Sequence, residues 1–133
     1  MNALAAKAAK RILVVDDSRV VRRIARQMLE DAGFIVDDAC NGAEALHRMR
    51  QDRPDAVLLD WNMPVMNGIE CLRTLRQEFG QEQPCVILCT TENEPGFIMS
   101  AIEAGAQEYI MKPFTDMILR GKLEQLGLLE PEA

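Results

Sequence analysis

The sequence predicts an α/β domain built on a doubly wound, five-stranded parallel sheet in the order 2-1-3-4-5, with five helices. Two observations carry this. Five short apolar or β-branched runs alternate with five stretches that repeat apolar residues at helical spacing. Right-handed crossovers between parallel strands then leave few topologies for 133 residues, about one domain's length.

The first run, residues 11–16, is too short for a helix and reads as a fully buried strand. Residues 18–32 follow, with Val21, Ile24, Ala25 and Met28 as the apolar stripe of a helix and Gly33 as its stop. Residues 34–37 form a shorter second strand. Asn41-Gly42 turns the chain into a helix over 43–51, closed before Pro54. The third run is 56–60, and a loop holding Pro64 and Gly68 leads to a helix with Ile69, Leu72 and Leu75. Residues 85–89 are the fourth run. Pro95 then sits near a helix start, where its missing N–H costs least, and Gly105 ends that helix. Residues 109–111 make the fifth strand, and Thr115 caps a last helix with Leu119, Leu123 and Leu126 on one face. Gly121 inside that helix costs about 1 kcal/mol against Ala, for no reason visible in the sequence.

Composition narrows the class. A chain 48% hydrophobic and 27% charged is neither disordered nor fibrous. No apolar run approaches the ~18 residues of a membrane span, and Lys7, Lys10 and Arg11 interrupt the Ala-rich start before a signal-peptide core forms. These features predict a cytoplasmic protein without membrane insertion. A net charge of −6 argues against nucleic acid as a partner. Cys40, Cys71, Cys85 and Cys89 follow no zinc spacing. Cys85 and Cys89, four apart in a strand, lie about 13 Å apart, too far for a disulfide. All four are expected to be reduced thiols. Residues 1–9 read as a flexible extension, 10–129 as the domain and 130–133 as a tail. The end of the chain soon after the last helix predicts no attached output domain.

Ligands of such sheets bind outside the carboxyl ends of the strands. There the runs end in Asp16-Asp17, Asp60, Thr90-Thr91 and Lys112-Pro113, which a parallel sheet brings to one rim. Three carboxylates repel and call for a cation, and oxygen donors favour Mg²⁺ or Mn²⁺ over Zn²⁺. A divalent ion and a lysine around an aspartate suit a phosphoryl group, for which the aspartate can be the nucleophile. A single Asp at a strand end is more often a turn residue or cap, and Asp16-Asp17 could merely cap the helix near Ser18. That plain reading weakens when one rim collects Asp16, Asp17, Asp60, Thr90 and Lys112 together.

Four segments in this order, Val14–Ser18, Asp60–Gly68, Cys89–Glu92 and Tyr109–Phe114, resemble the response-regulator receiver domain. The likeness runs from about Lys10 to Leu129 and is strongest to single-domain chemotaxis regulators. It implies a flavodoxin-like fold and a two-component signalling protein that is not an enzyme beyond its own phosphorylation and dephosphorylation. Asp60 is implied as acceptor of a phosphoryl group from a sensor histidine kinase or phosphotransfer protein. Asp17, Asp60 and the backbone carbonyl of Asn62 are implied as Mg²⁺ ligands, with Asp16 acting through water. Thr90 and Lys112 are implied to hold phosphoryl oxygens, the Lys112–Pro113 bond to be cis, and Thr90 with Tyr109 to form the switch. Asn62 and Glu92 are implied to set a short phosphate lifetime. Output is implied through a protein target on the face of helix four, strand five and helix five, by a monomer.

Motility is one pathway open to such a protein; phosphate sink, phosphorelay carrier and stress or cell-cycle adaptor are others. A reading of another class is a small Mg²⁺-dependent phosphohydrolase with an Asp nucleophile, as in the haloacid dehalogenase superfamily. That chemistry wants a carboxylate two residues past the nucleophile, where this chain has Asn62. A third is a receiver-like interaction module that takes no phosphate, although the acidic pair, acceptor and lysine are all kept.

Weaker signals remain. Arg19, Arg22, Arg23 and Arg26 form a basic stripe on helix one, either solvated charge or, by the resemblance, a kinase-docking face. His47 reads as surface. Tyr109 reads as a half-buried packing residue until the adjoining Lys-Pro motif raises the switch role. Met99, Met111 and Met117 read as core or edge packing.

Overall fold

The computed structural model describes residues 9–91 and 95–131. Strands β1 (Arg11–Val15), β2 (Ile35–Ala39), β3 (Ala56–Asp60), β4 (Cys85–Thr90) and β5 (Glu108–Met111) alternate with five helices. The helices are α1 (Arg19–Asp31), α2 (Gly42–Gln51), α3 (Gly68–Phe79), α4 (Pro95–Ala104) and α5 (Asp116–Gln125). The sheet order is β2-β1-β3-β4-β5, every pair parallel, as the alternation of runs predicts.

Side chains alternate across a strand, so the sheet divides its core in two. Leu13, Val15, Val57, Leu59, Val86 and Leu88 face one side, with Leu46 and Met49 of α2, Leu72 and Leu75 of α3 and Ala101 of α4. Ile12, Val14, Leu58, Ile87, Cys89 and Ile110 face the other, with Ala25 and Leu29 of α1 and Leu119 and Leu123 of α5. This alternation fixes which side each rim residue points to.

Side-chain caps start four helices. Ser18 accepts from the Val21 N–H, Asn41 from Glu44 and Thr115 from Ile118, and Asn67 with Glu70 forms a reciprocal capping box. Each cap stabilises its helix by about 1 kcal/mol.

Several local expectations are corrected. The buried line of α1 runs through Ala25 and Leu29, whereas Ile24 is half exposed. The apolar arc on α1 is wider than the stripe its packing covers. The second strand starts one residue later and extends to Ala39, and Phe34 packs into the core as the residue before it. Met99 and Met117 are exposed rather than packed. His47 is exposed as expected. The cysteines are free; burial pushes the Cys71 thiol up to about 12 and the Cys89 thiol well above its usual range, so both are inert. The extension and tail expected at the two ends fall mostly outside the described residues.

Two features have no counterpart in the sequence reading. The Gln83–Pro84 peptide is cis. Arg76 is buried and, among the described residues, has no carboxylate partner: its guanidinium donates to Gly105 O at 2.9 Å, Gly80 O at 3.2 Å and Gln107 Oε1 at 2.6 Å. Burial lowers its pKa, and the three acceptors satisfy the charge where α3 meets the α4–β5 turn. Gly105 has φ +110° and lies so close that a Cβ there would stand 2.8 Å from Arg76 Cγ.

Candidate functional site

Register assembles the rim. Val15 pairs with Leu59, Asp60 with Cys89 and Thr90 with Met111, so the residues that end or follow these strands gather at one edge. Asp16 continues the face of Val14, Asp60 that of Leu58, and Lys112 that of Ile110, the α1 side of the sheet. Thr90 continues the face of Leu88, the α4 side, and Tyr109 is the register partner of Leu88.

Carboxylate oxygens of Asp16, Asp17 and Asp60 all lie within 4.8 Å of one another. Asp16 and Asp60 are buried and Asp17 is exposed. Lys112 Nζ donates to Asp16 Oδ2 at 3.1 Å and to Asp60 Oδ1 at 3.0 Å. Burial raises the Asp60 pKa above the usual carboxylate range; the Lys112 bond opposes this, and the charges of Asp16 and Asp17 add to it. For Lys112 burial acts downward, but its bonds to Asp60 and Asp16 win and its pKa rises, so the ammonium stays charged. An all-oxygen, triply acidic donor set fits a hard divalent cation such as Mg²⁺.

Asp16 is held at every polar atom. Its N–H donates to Ala39 O at 3.1 Å, and its Oδ1 accepts from the Ser18 N–H at 2.9 Å. Its carbonyl accepts from Arg22 Nη1 at 2.7 Å. Arg22 is therefore a site residue that the sequence reading left in a surface stripe. Asn62 is exposed, two residues past Asp60. Thr90 is buried and Tyr109 half-buried, with the Lys122 ammonium 4.8 Å from the Tyr109 ring centre. The Lys112–Pro113 peptide is cis. Glu92 lies outside the described residues.

The loop after β3 closes on itself. Trp61 N–H donates to Cys89 O at 2.8 Å, and the Gly68 N–H to Trp61 O at 2.9 Å. A Cβ on Gly68 would collide with the Asp60 carbonyl and stand 2.9 Å from Trp61 Cα, so glycine is required there. The Trp61 ring meets Phe97 of α4 edge to face, centroids 5.3 Å apart. Beside Lys112 an apolar hollow of about 290 Å³ is lined by Val21, Ile24, Ala25, Pro113 and Phe114.

A doubly wound sheet with a buried aspartate, a paired lysine and an acidic cluster at its carboxyl edge is the arrangement of a receiver domain, and comparison with known proteins shows that family. Residues 12–124 match the response regulator receiver domain, and the chain belongs to that family. It is 40% identical over 118 residues to the chemotaxis protein CheY homologue of Campylobacter jejuni subsp. jejuni strain 81-176, covering 87% of this chain and 91% of that one. Among solved structures, chemotaxis protein CheY4 of Vibrio cholerae superposes with a TM-score of 0.84 at 33% identity, covering 89% of this chain and 98% of that one. A CheY-like receiver domain protein of Methanospirillum hungatei JF-1 gives 0.82 at 28% identity, covering 90% and 94%. The chain is thus a CheY-like receiver. Among the described residues, no helix is long and apolar enough to cross a membrane.

Proposed function

We propose that this receiver is a phosphorylation-controlled switch of the chemotaxis type, taking its phosphoryl group from a sensor histidine kinase or phosphotransfer protein onto Asp60. One observation carries the reading: a buried aspartate at the carboxyl edge of the sheet shares a lysine with a second aspartate, beside a third. A carboxylate oxygen of Asp60 bonds to phosphorus as the N–P bond of a phosphohistidine breaks and the imidazole leaves with the electron pair. Lys112 keeps its charge and pairs with one phosphoryl oxygen; the Thr90 hydroxyl donates to another. Asp16, Asp17, Asp60 and the Asn62 carbonyl would hold Mg²⁺ or Mn²⁺, which neutralises the phosphoryl oxygens when bound. Beyond these reactions of its own acyl phosphate the protein is not an enzyme. Asn62 and Glu92 shorten the lifetime of that acyl phosphate to seconds or minutes.

The donor docks on α1, where Val20 and Ile24 are exposed beside the apolar hollow and the rim. A downstream protein target reads the face of α4, β5 and α5, on which Met99, Ile102, Met117 and Ile118 are exposed. Thr90 moves toward the phosphoryl group and Tyr109 turns inward, shifting an existing equilibrium toward the form that binds the target. The receiver unit spans residues 10–129 and acts as a cytoplasmic monomer, without nucleic acid or membrane insertion.

The test is intact mass after incubation with Mg²⁺ and acetyl phosphate, beside an Asp60→Asn control. A single, short-lived phosphoryl adduct that needs both Mg²⁺ and Asp60 is expected. No adduct on the wild-type protein, one retained by Asp60→Asn, or one stable for hours would overturn the corresponding part of the reading.

A further inference from the structure

We propose that Arg22 is a positioning residue for the cation site, holding Asp16 in place through its backbone; this rests on the reading of the acidic cluster as a Mg²⁺ site. The two carboxylate oxygens of Asp16 are held by Ser18 N–H and by Lys112. An entering cation competes with Lys112 for its carboxylates, so that hold is conditional. The Arg22 hold is not, because it takes the carbonyl oxygen and leaves both carboxylate oxygens to other partners.

The geometry needs an arginine. Nη1 reaches Asp16 O at 2.7 Å while Nε reaches Asp38 Oδ2 on β2 at 3.2 Å. A guanidinium offers both donors in one rigid plane, whereas a lysine ammonium at the end of a flexible stem cannot hold the two acceptors in a fixed relation. Asp38 also faces Arg26 Nη2 at 3.7 Å, so the clamp is itself braced across α1 and β2. With Asp38 opposite it, the Arg22 charge is balanced locally, and its effect on a bound cation is one of placement rather than repulsion. The basic stripe therefore divides: Arg22 and Arg26 turn to Asp38, and Arg19 and Arg23 stay exposed.

Partners that orient a metal's ligands are worth roughly 10–100-fold in affinity when removed. Mg²⁺ titration followed by Trp61 fluorescence, and independently by calorimetry, should show Arg22→Ala binding about tenfold more weakly than wild type. Arg22→Lys should fall between. Asp38→Asn should weaken binding less, and Arg22→Ala with Asp38→Asn together should cost no more than Arg22→Ala alone. Saturating Mg²⁺ should restore the extent of phosphoryl uptake from acetyl phosphate, a split between affinity and capacity that general loosening of the fold would not give. Far-UV circular dichroism verifies folding; should Arg22→Ala not fold, Arg22→Lys and Asp38→Asn carry the same comparison. Unchanged or tighter Mg²⁺ binding by folded variants overturns the inference alone. A wild-type protein that binds no Mg²⁺ overturns the reading of the site, and the inference with it.

Discussion

Val65 carries the only positive φ among the described non-glycine residues, 71°, and its side chain is 83% exposed. The Met66 N–H donates back to Pro64 O at 2.7 Å, so the three residues form a tight turn in the loop beside Asp60. A β-branched residue gains nothing there by packing and costs about 1 kcal/mol or more in backbone strain. Val65→Gly should raise stability by up to about 1 kcal/mol in urea unfolding, since glycine has no Cβ to strain at positive φ. An equal or lower midpoint would mean that Val65 packs better than its exposure indicates. Gly68, at the other end of the loop, is the opposite case: its missing Cβ is what lets the loop approach the Asp60 backbone.

At the scale of elements, most of the fold was legible because hydrophobic periodicity and punctuation agree. The strand ends carried the site as well: Asp16, Asp60 and Lys112 are legible as polar residues that terminate apolar runs, and the rim brings them together. Arg22 was not, because an arginine on a helix reads the same whether it is solvated or bonded to a backbone carbonyl of the loop before the helix, here that of Asp16. Nor was the face of α1, where Val20, Val21, Ile24, Ala25, Met28 and Leu29 make an arc from which periodicity alone cannot choose the covered part. Arg76 hid for a related reason, since its acceptors are neutral carbonyls and an amide that no charge pattern announces. In α5, Gly121 stays unexplained: a Cβ built there meets nothing within 4 Å. Gly121→Ala should therefore stabilise the protein by about 0.5–1 kcal/mol, read from the thermal midpoint. A loss of stability would show that the backbone at this position needs glycine.

For the molecule as a whole, the site stores electrostatic cost. Three carboxylates converge around one lysine, and burial with its neighbours' charge holds the Asp60 carboxyl above its ordinary pKa. A raised acid means the folded chain binds that proton more readily than the unfolded one. The stability Asp60 contributes is present below the ordinary carboxylate pKa and is lost as pH rises through the folded value. At neutral pH, without metal, the charged form is thus a liability. Lys112 has the same sign but a different window: its contribution persists below the ordinary lysine range and fades only above it. Metal-free Asp60→Asn should accordingly melt higher than the wild type at pH 7, since the amide oxygen can still accept from Lys112. Added Mg²⁺ should narrow the gap by stabilising the wild type more. A lower melting point for metal-free Asp60→Asn would show that the Lys112 pairing outweighs the crowding.

The sheet is also a partition. Asp16, Asp60 and Lys112 point to its α1 side, and Thr90 and Tyr109 to its α4 side. Trp61 also lies on the α4 side, its ring against Phe97. On the docking proposed above, the donor on α1 and the part of the target that meets α5 lie on the same side of this partition, and only α4 lies on the other, so the two footprints are separate at α4 and neighbours at α5.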